Sequence, residues 1–283
     1  MGTLSGRTCL VTGATSGIGR ATALRLAALG ADVVVVGRDP ARAGAVREEL
    51  RRRAPHVTAE PLTADLSSLA QVRRLAEEIR ERHERLDVLV NNAGVISMRR
   101  EVTADGFETT FATNHLGPFL LTNLLRGLLE RSAPARVVTV ASAAHRQVRE
   151  IPWADLPHGT AAGRGRTYPL SKLLNVLFTA ELARRLAGTG VTANCLHPGF
   201  VRTELGRDVT GAFGVAVRLV ARLQPGPAKG AETSVYLASS PDVAGVTGGY
   251  FVRCRRAEPS RLARDPRAAA RLWTLSEELA GLG

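Results

Sequence analysis

The sequence predicts one doubly wound α/β domain: a mostly parallel seven-stranded sheet with helices on both faces. Three observations carry that expectation. Its 283 residues can close a single large core without splitting. Short β-branched runs alternate with helical segments through the first two hundred residues, the rhythm of parallel strands joined by helical crossovers. A glycine-rich turn stands between the first strand-like run and the first helical one. At 45% apolar and 23% charged residues, the composition is that of a globular protein rather than a disordered one.

The elements follow in order. Strands are predicted over 8–12, 32–36, 57–61, 86–91, 136–141 and 191–197, with a seventh near 249–253. Helices are predicted over about 17–29, 41–53, 68–84, 105–130 and 168–187, and the tail "PRAAARLWTLSEELAGL" reads as a C-terminal helix whose Leu272, Trp273, Leu275 and Leu279 offer an apolar face. Right-handed crossovers through these segments give one domain over residues 1–283. Two segments break the rhythm: a Gly- and Arg-rich connection at 146–167, and 204–230 with the apolar piece "AFGVAVRLVARL". Both follow strands at their carboxyl ends, where open α/β sheets bind ligands, so they are candidate substrate loops or lids, with Phe213 a candidate substrate contact.

Charge and cysteine usage exclude several classes. The net charge is +12, but the arginines are dispersed and mostly stand beside glutamates, so nucleic acid is not an expected partner. Cys9, Cys195 and Cys254 lack zinc-ligand or disulfide spacing, which suits a reducing cytoplasm, and no His, Cys and acidic cluster suggests a metal. No apolar run is long enough to span a bilayer, and the first strand starts too early to leave room for a signal peptide or membrane anchor.

The first strand runs into "TGATSGIGR". Gly13 permits the tight turn, Gly17 allows the backbone to approach a phosphate, and Gly19 lets the following helix sit against the sheet. Thr15, Ser16 and Ile18 complete the turn, and the helix N-terminus faces the pyrophosphate of a dinucleotide. This makes the domain Rossmann-type. The second strand ends in Gly37 and Arg38, where a site for NAD would usually place a carboxylate. A guanidinium there suits a ribose 2′-phosphate, so NADPH/NADP+ is the expected cofactor. Asp39 reads as the N-cap of the next helix. Asp65, with neighbouring Leu66, follows the third strand and is placed to accept from the adenine amino group. In "NNAG", Asn91, Ala93 and Gly94 are placed near the adenine ribose, with a structural turn as the other reading for Asn92.

The chemistry is expected beyond the fifth strand. "YPLSK" puts Tyr168 and Lys172 one helical turn apart, with Pro169 in the first turn. An ammonium beside the phenol should lower its pKa and fit it for proton transfer, and Lys172 can also reach ribose hydroxyls. Ser142, at the carboxyl end of the fifth strand, can donate to a substrate oxygen as charge develops. Asn114 is placed either to hold a water joining Lys172 to solvent or to satisfy backbone groups. His145 is a candidate lining the substrate mouth. In "HPGFVRT", Pro198 and Gly199 turn the chain, Val201 is placed to present backbone groups to the nicotinamide carboxamide, and Thr203 to meet the carboxamide or the pyrophosphate.

With those residues in place, the sequence resembles the short-chain dehydrogenase/reductase family over nearly its full length. "TGATSGIG", "NNAG", Asn114, Ser142, Tyr168 with Lys172, and "HPGFVRT" match that family's motifs in chain order. "NHLGPFLLTNLL", "YPLSKLLNVLFTAELARRL" and "LHPGFVRTELG" are similar to its retinol dehydrogenase and WW-domain oxidoreductase-like branch. The resemblance implies NADP(H)-dependent interconversion of a carbonyl and an alcohol, with Tyr168 as general acid and base and Asn114 in proton relay, while Phe213, Val215, Val217 and Leu219 of the candidate lid make a fairly bulky apolar small molecule the expected substrate. It also implies a homodimer or homotetramer, for which the 105–130 and 168–187 helices are candidate interfaces. Ala141 departs from the branch, which often has a serine there, and this bears on substrate choice. A non-reductive conversion using retained cofactor, and a cofactor-binding interaction protein without turnover, are the alternatives.

Overall fold

A computed structural model describes residues 3–97, 101–159, 166–199 and 226–282. Its sheet follows the order β3-β2-β1-β4-β5-β6-β7-β8. The strands are β1 (Thr8–Thr12), β2 (Asp32–Gly37), β3 (Ala59–Thr63), β4 (Val88–Asn91), β5 (Ala135–Val140), β6 (Val191–His197), β7 (Tyr250–Val252) and β8 (Arg255–Ala257). All neighbours pair in parallel except β7 and β8. Strand order reverses between β1 and β4, and the crevice at that switch point is where the carboxyl ends of an open sheet receive ligands.

The helices are α1 (Gly17–Ala28), α2 (Pro40–Arg53), α3 (Leu69–Arg82), α4 (Thr109–Phe111), α5 (Gly117–Arg131), α6 (Thr167–Arg185), α7 (Pro227–Ser239) and α8 (Pro266–Ala280). Two apolar clusters, one on each face of the sheet, form the core. Leu10, Leu89, Val137, Phe119, Leu173 and Trp273 belong to the first, and Val11, Val35, Val90, Leu26, Leu196 and Phe251 to the second. Successive residues of β1, Leu10 and Val11, divide between them because strand side chains alternate faces. Cys9 and Cys195 are buried, and burial pushes both thiols up. Among the described residues no helix is long and apolar enough to cross a membrane.

Three features correct the sequence expectation. The sheet has eight strands rather than seven: Arg253 and Cys254, at φ 51° and 60°, turn β7 back antiparallel into β8. Two successive positive-φ residues make the turn that matches strand twist, but here neither is the glycine or asparagine that usually marks it. The strand predicted over 57–61 lies at Ala59–Thr63, because the Val57 N–H closes a turn onto Ala54; Pro61 is tolerated since β3 is an edge. The helix predicted over 105–130 starts at Thr109 and contains a π-helical segment, Ala112–Leu116, that carries Asn114. The candidate loops fall partly outside the described residues, which lack 160–165 of the first and 204–225 of the second.

The chain's own C-terminal helix packs on the two long helices named as candidate interfaces. Trp273 of α8 packs on Phe119 of α5 and Phe178 of α6.

Candidate functional site

A cavity of about 920 Å³ opens at the switch point, along the carboxyl ends of the strands. Its first wall is the turn after β1, formed by Gly13, Thr15, Ser16, Gly17, Ile18 and Gly19. A Cβ on Gly19 would lie 2.2 Å from the Gly13 carbonyl oxygen, so only glycine lets α1 sit this close to the strand. A Cβ on Gly17 would meet no protein atom within 4 Å, and the space it would fill is the cavity. Gly37 answers a packing need that its sequence position does not reveal: a Cβ there would lie 2.3 Å from the Thr15 methyl.

The capping pattern marks what this wall is shaped to hold. Asp39, Ser68 and Asp265 each accept a first-turn N–H of α2, α3 and α8 with their side chains. Ser16, at the start of α1, caps none with its side chain. The helix therefore presents backbone donors and the positive end of its dipole to the cavity, the arrangement that binds phosphate. Together with the Gly17 cradle, this fits the pyrophosphate of a dinucleotide.

Arg38 stands at the far rim beside Asp39 and Arg42. Asp39 is the predicted N-cap, its Oδ1 accepting from Ala41 N at 2.9 Å and Arg42 N at 3.1 Å. Sequence reasoning misses Arg42, although it is one helical turn beyond Arg38; its Nε lies 3.4 Å from Asp39 Oδ2. Asp65 and Leu66 line the adjoining wall, where Asp65 Oδ1 holds the Ser67 N–H and hydroxyl.

Ala93 and Gly94 line the cavity, whereas the Asn91 side chain lies behind it. Asn91 is 2% exposed and its Nδ2 donates to Thr122 of α5 at 2.9 Å. Asn92 points the other way and braces the glycine turn, its Nδ2 donating to the Thr12 carbonyl at 2.8 Å.

At the other end stand Ser142, Tyr168 and Lys172, with Val140, Ala141, Val95 and Ile96 supplying apolar lining. Lys172 is 3% exposed, and its Nζ donates to the Val140 carbonyl at 2.9 Å. Burial lowers its pKa to about 8. The expected lowering of the Tyr168 pKa is not what this arrangement produces. Burial pushes the phenol up, while a hydrogen bond with Ser142 pulls the other way. The Lys172 ammonium sits 5.6 Å from the Tyr168 ring centroid and is turned toward a carbonyl, so desolvation of the phenolate prevails.

Asn114 is fully buried with its side chain committed to protein groups, which accords with the reading in which its amide satisfies backbone groups. Oδ1 accepts from Val95 N at 2.8 Å, and Nδ2 donates to Val95 O and to Ser171 Oγ, each at 3.0 Å. It thereby ties the segment after β4 to α6 near Lys172. His145 is corrected as a substrate contact: it is fully buried and outside the cavity lining. Pro198 and Gly199 line the cavity, whereas Val201, Thr203 and Phe213 lie outside the described residues.

Buried imidazoles make stability sensitive to mild acid. Desolvation lowers the pKa of His115 to about 3 and also holds His145 and His197 below the ordinary 6.5. Below about pH 6.5 the unfolded chain takes up protons that the folded one refuses, so the stability these neutral rings contribute is lost as pH falls. Thermal melts between pH 7.5 and 5 should show a declining Tm; a flat profile would contradict the assignment.

A family model described as short chain dehydrogenase matches residues 7–212. The chain is 46% identical to Retinol dehydrogenase 14 of Homo sapiens, over 99% of this chain and 88% of that one. Among solved structures, an uncharacterised protein from Mycobacterium paratuberculosis superposes with a TM-score of 0.78 at 36% identity, covering 99% of this chain and 96% of the other. The RhlG/NADP active-site complex of Pseudomonas aeruginosa matches with a TM-score of 0.72 at 28% identity, covering 88% and 94%. The motif order, the reversal of strands at the cavity and these matches agree, and the chain belongs to the short-chain dehydrogenase family.

Proposed function

We propose that this NADP(H)-dependent oxidoreductase interconverts a carbonyl and a primary or secondary alcohol on a bulky apolar small molecule, with Tyr168 as the proton donor in reduction. The observation that carries the reading is the sharing of one cavity by the glycine turn, the arginine rim and the Ser142, Tyr168 and Lys172 group. The turn and α1 would hold the pyrophosphate, Arg38 and Arg42 the 2′-phosphate, and Lys172 the nicotinamide ribose. The bound dinucleotide would supply the hydride.

The chain's own groups handle the proton. The Ser142 hydroxyl donates to the substrate oxygen as negative charge grows there. Tyr168 passes its proton to that oxygen. To stabilise the phenolate that results, the Lys172 ammonium, 5.6 Å from the ring centroid, would turn from the Val140 carbonyl toward it, and Val95, Ile96 and Val140 line the reacting carbon with apolar groups. The similarity to a retinol dehydrogenase supports an extended apolar aldehyde or alcohol as the substrate class. The test is NADPH consumption by the purified protein with all-trans-retinal and with nonanal. Loss of NADPH matched mole for mole by alcohol supports the reading; turnover with catalytic cofactor and no net consumption would replace it with a non-reductive reaction.

The arginine rim gives a separable prediction. Arg38→Ala should weaken NADPH binding by roughly 10-fold or more, the worth of a charge-assisted phosphate contact, and leave NADH binding almost unchanged. Equal losses for the two cofactors, measured by titration, would remove the phosphate assignment.

A further inference from the structure

Ser142 enters the reaction through one hydroxyl, and its orientation is constrained. Its Oγ accepts the Ala144 N–H at 3.2 Å, which turns the O–H away from that amide. The backbone beneath it is gripped by His145. The Nδ1–H of this buried ring donates to the Ser142 carbonyl at 2.6 Å, and Nε2 accepts the Ser260 N–H at 3.0 Å. These bonds require the neutral tautomer with its proton on Nδ1 and leave neither nitrogen for a substrate. Tyr250 packs against the ring in a T-shaped contact with centroids 5.1 Å apart, and the neighbouring Arg146 donates to the Glu258 carbonyl. The short turn Ala143–Gln147 that follows Ser142 is thus fastened to the segment beyond β8, more than a hundred residues further along the chain.

We infer that His145 is a positioning residue for carbonyl reduction: by tying the Ser142 carbonyl to Ser260, it holds the Ser142 hydroxyl against Tyr168. The inference rests on the roles proposed above for Ser142 and Tyr168. A burial-only role would ask of this position an apolar ring; a positioning role asks for a donor at the place of Nδ1.

The experiment compares His145→Phe, His145→Asn and His145→Gln, each alone and in a Ser142→Ala background, using all-trans-retinal and nonanal with NADPH. The asparagine amide can reproduce the Nδ1 donor to Ser142, whereas glutamine reaches the place of Nε2 and keeps only the Ser260 bond. The Phe and Gln variants should lose about 10–100-fold in kcat, the cost of a small misplacement, with KM and NADPH affinity little changed, while Asn stays close to the parent rate. In Ser142→Ala protein, His145→Phe should cost no more than about two-fold further, because its effect runs through the serine. A parental kcat in His145→Phe, or a loss undiminished in the Ser142→Ala background, would overturn the inference. Ser142→Ala with full activity would overturn the reading of the site itself, and this inference with it. A crystal structure of the Phe variant, whether or not either aldehyde is turned over, should show Ser142 Oγ outside hydrogen-bond reach of Tyr168; an unmoved Oγ overturns the inference.

Discussion

Tyr168→Phe should lower kcat for carbonyl reduction by about 10²–10⁴-fold, the range of a positioned general acid, while the dissociation constant for NADPH changes little. The substitution removes one oxygen and keeps the ring that packs 5.6 Å from Lys172. The Lys172 bond to Val140 and the glycine turn remain, so the groups assigned to the cofactor are untouched. What disappears is the only phenol among the cavity-lining residues, together with the partner of the Ser142 hydroxyl. A serine cannot replace it, because its own hydroxyl is a far weaker acid than a phenol. The measurement is steady-state reduction alongside NADPH titration and a thermal melt. Retention of more than roughly a tenth of the parental kcat, which is outside the general-acid range, would require a different proton donor.

Much of this site is legible in the sequence, and the reasons are local. The bounds predicted for the sixth strand, 191–197, coincide with β6, because β-branched Val191 and Thr192 open it directly after a turn marked by Gly188 and Gly190. The glycine turn, Tyr168 and Lys172 are legible because each requirement lies within a few residues of the next. Positions set by distant contacts are not. Which of two adjacent asparagines faces the cavity depends on the parity of the last residue of β4: Asn91 pairs with Thr139 and turns toward α5, so Asn92 turns toward Thr12. His145 looks accessible three residues after Ser142, but its ring is enclosed by Tyr250 and Ser260 from the far end of the chain. The sign of the Tyr168 shift depends on burial competing with the Ser142 hydrogen bond, and spacing to Lys172 reports neither.

Trp273→Ala is expected to destabilise the protein by about 3–5 kcal/mol, the cost of emptying a buried aromatic site, and to lower Tm by about 10 °C. Trp273 is 2% exposed and belongs to an aromatic group that joins three helices. Its ring meets Phe119 in a T-shaped contact at 4.9 Å and stacks on Phe178 at 5.9 Å, while the Arg185 guanidinium covers it at 4.3 Å. A further link from the same helix, Ser276 Oγ to His115 Nε2 at 2.9 Å, reaches the π-helical segment that carries Asn114. The indole nitrogen contributes little, since Nε1 is buried without a hydrogen-bond partner among the described residues. Trp273→Phe should therefore cost much less than Trp273→Ala, and near-equal losses in thermal melts would show that ring size is not what holds α8. The same packing places Trp273 over Phe119 and Phe178, so removing the indole uncovers apolar rings through which a second copy could associate. Sedimentation of the Trp273→Ala variant, with Phe119 and Phe178 uncovered, should show more self-association than the parent; an unchanged profile would mean that α8 is held by its other contacts.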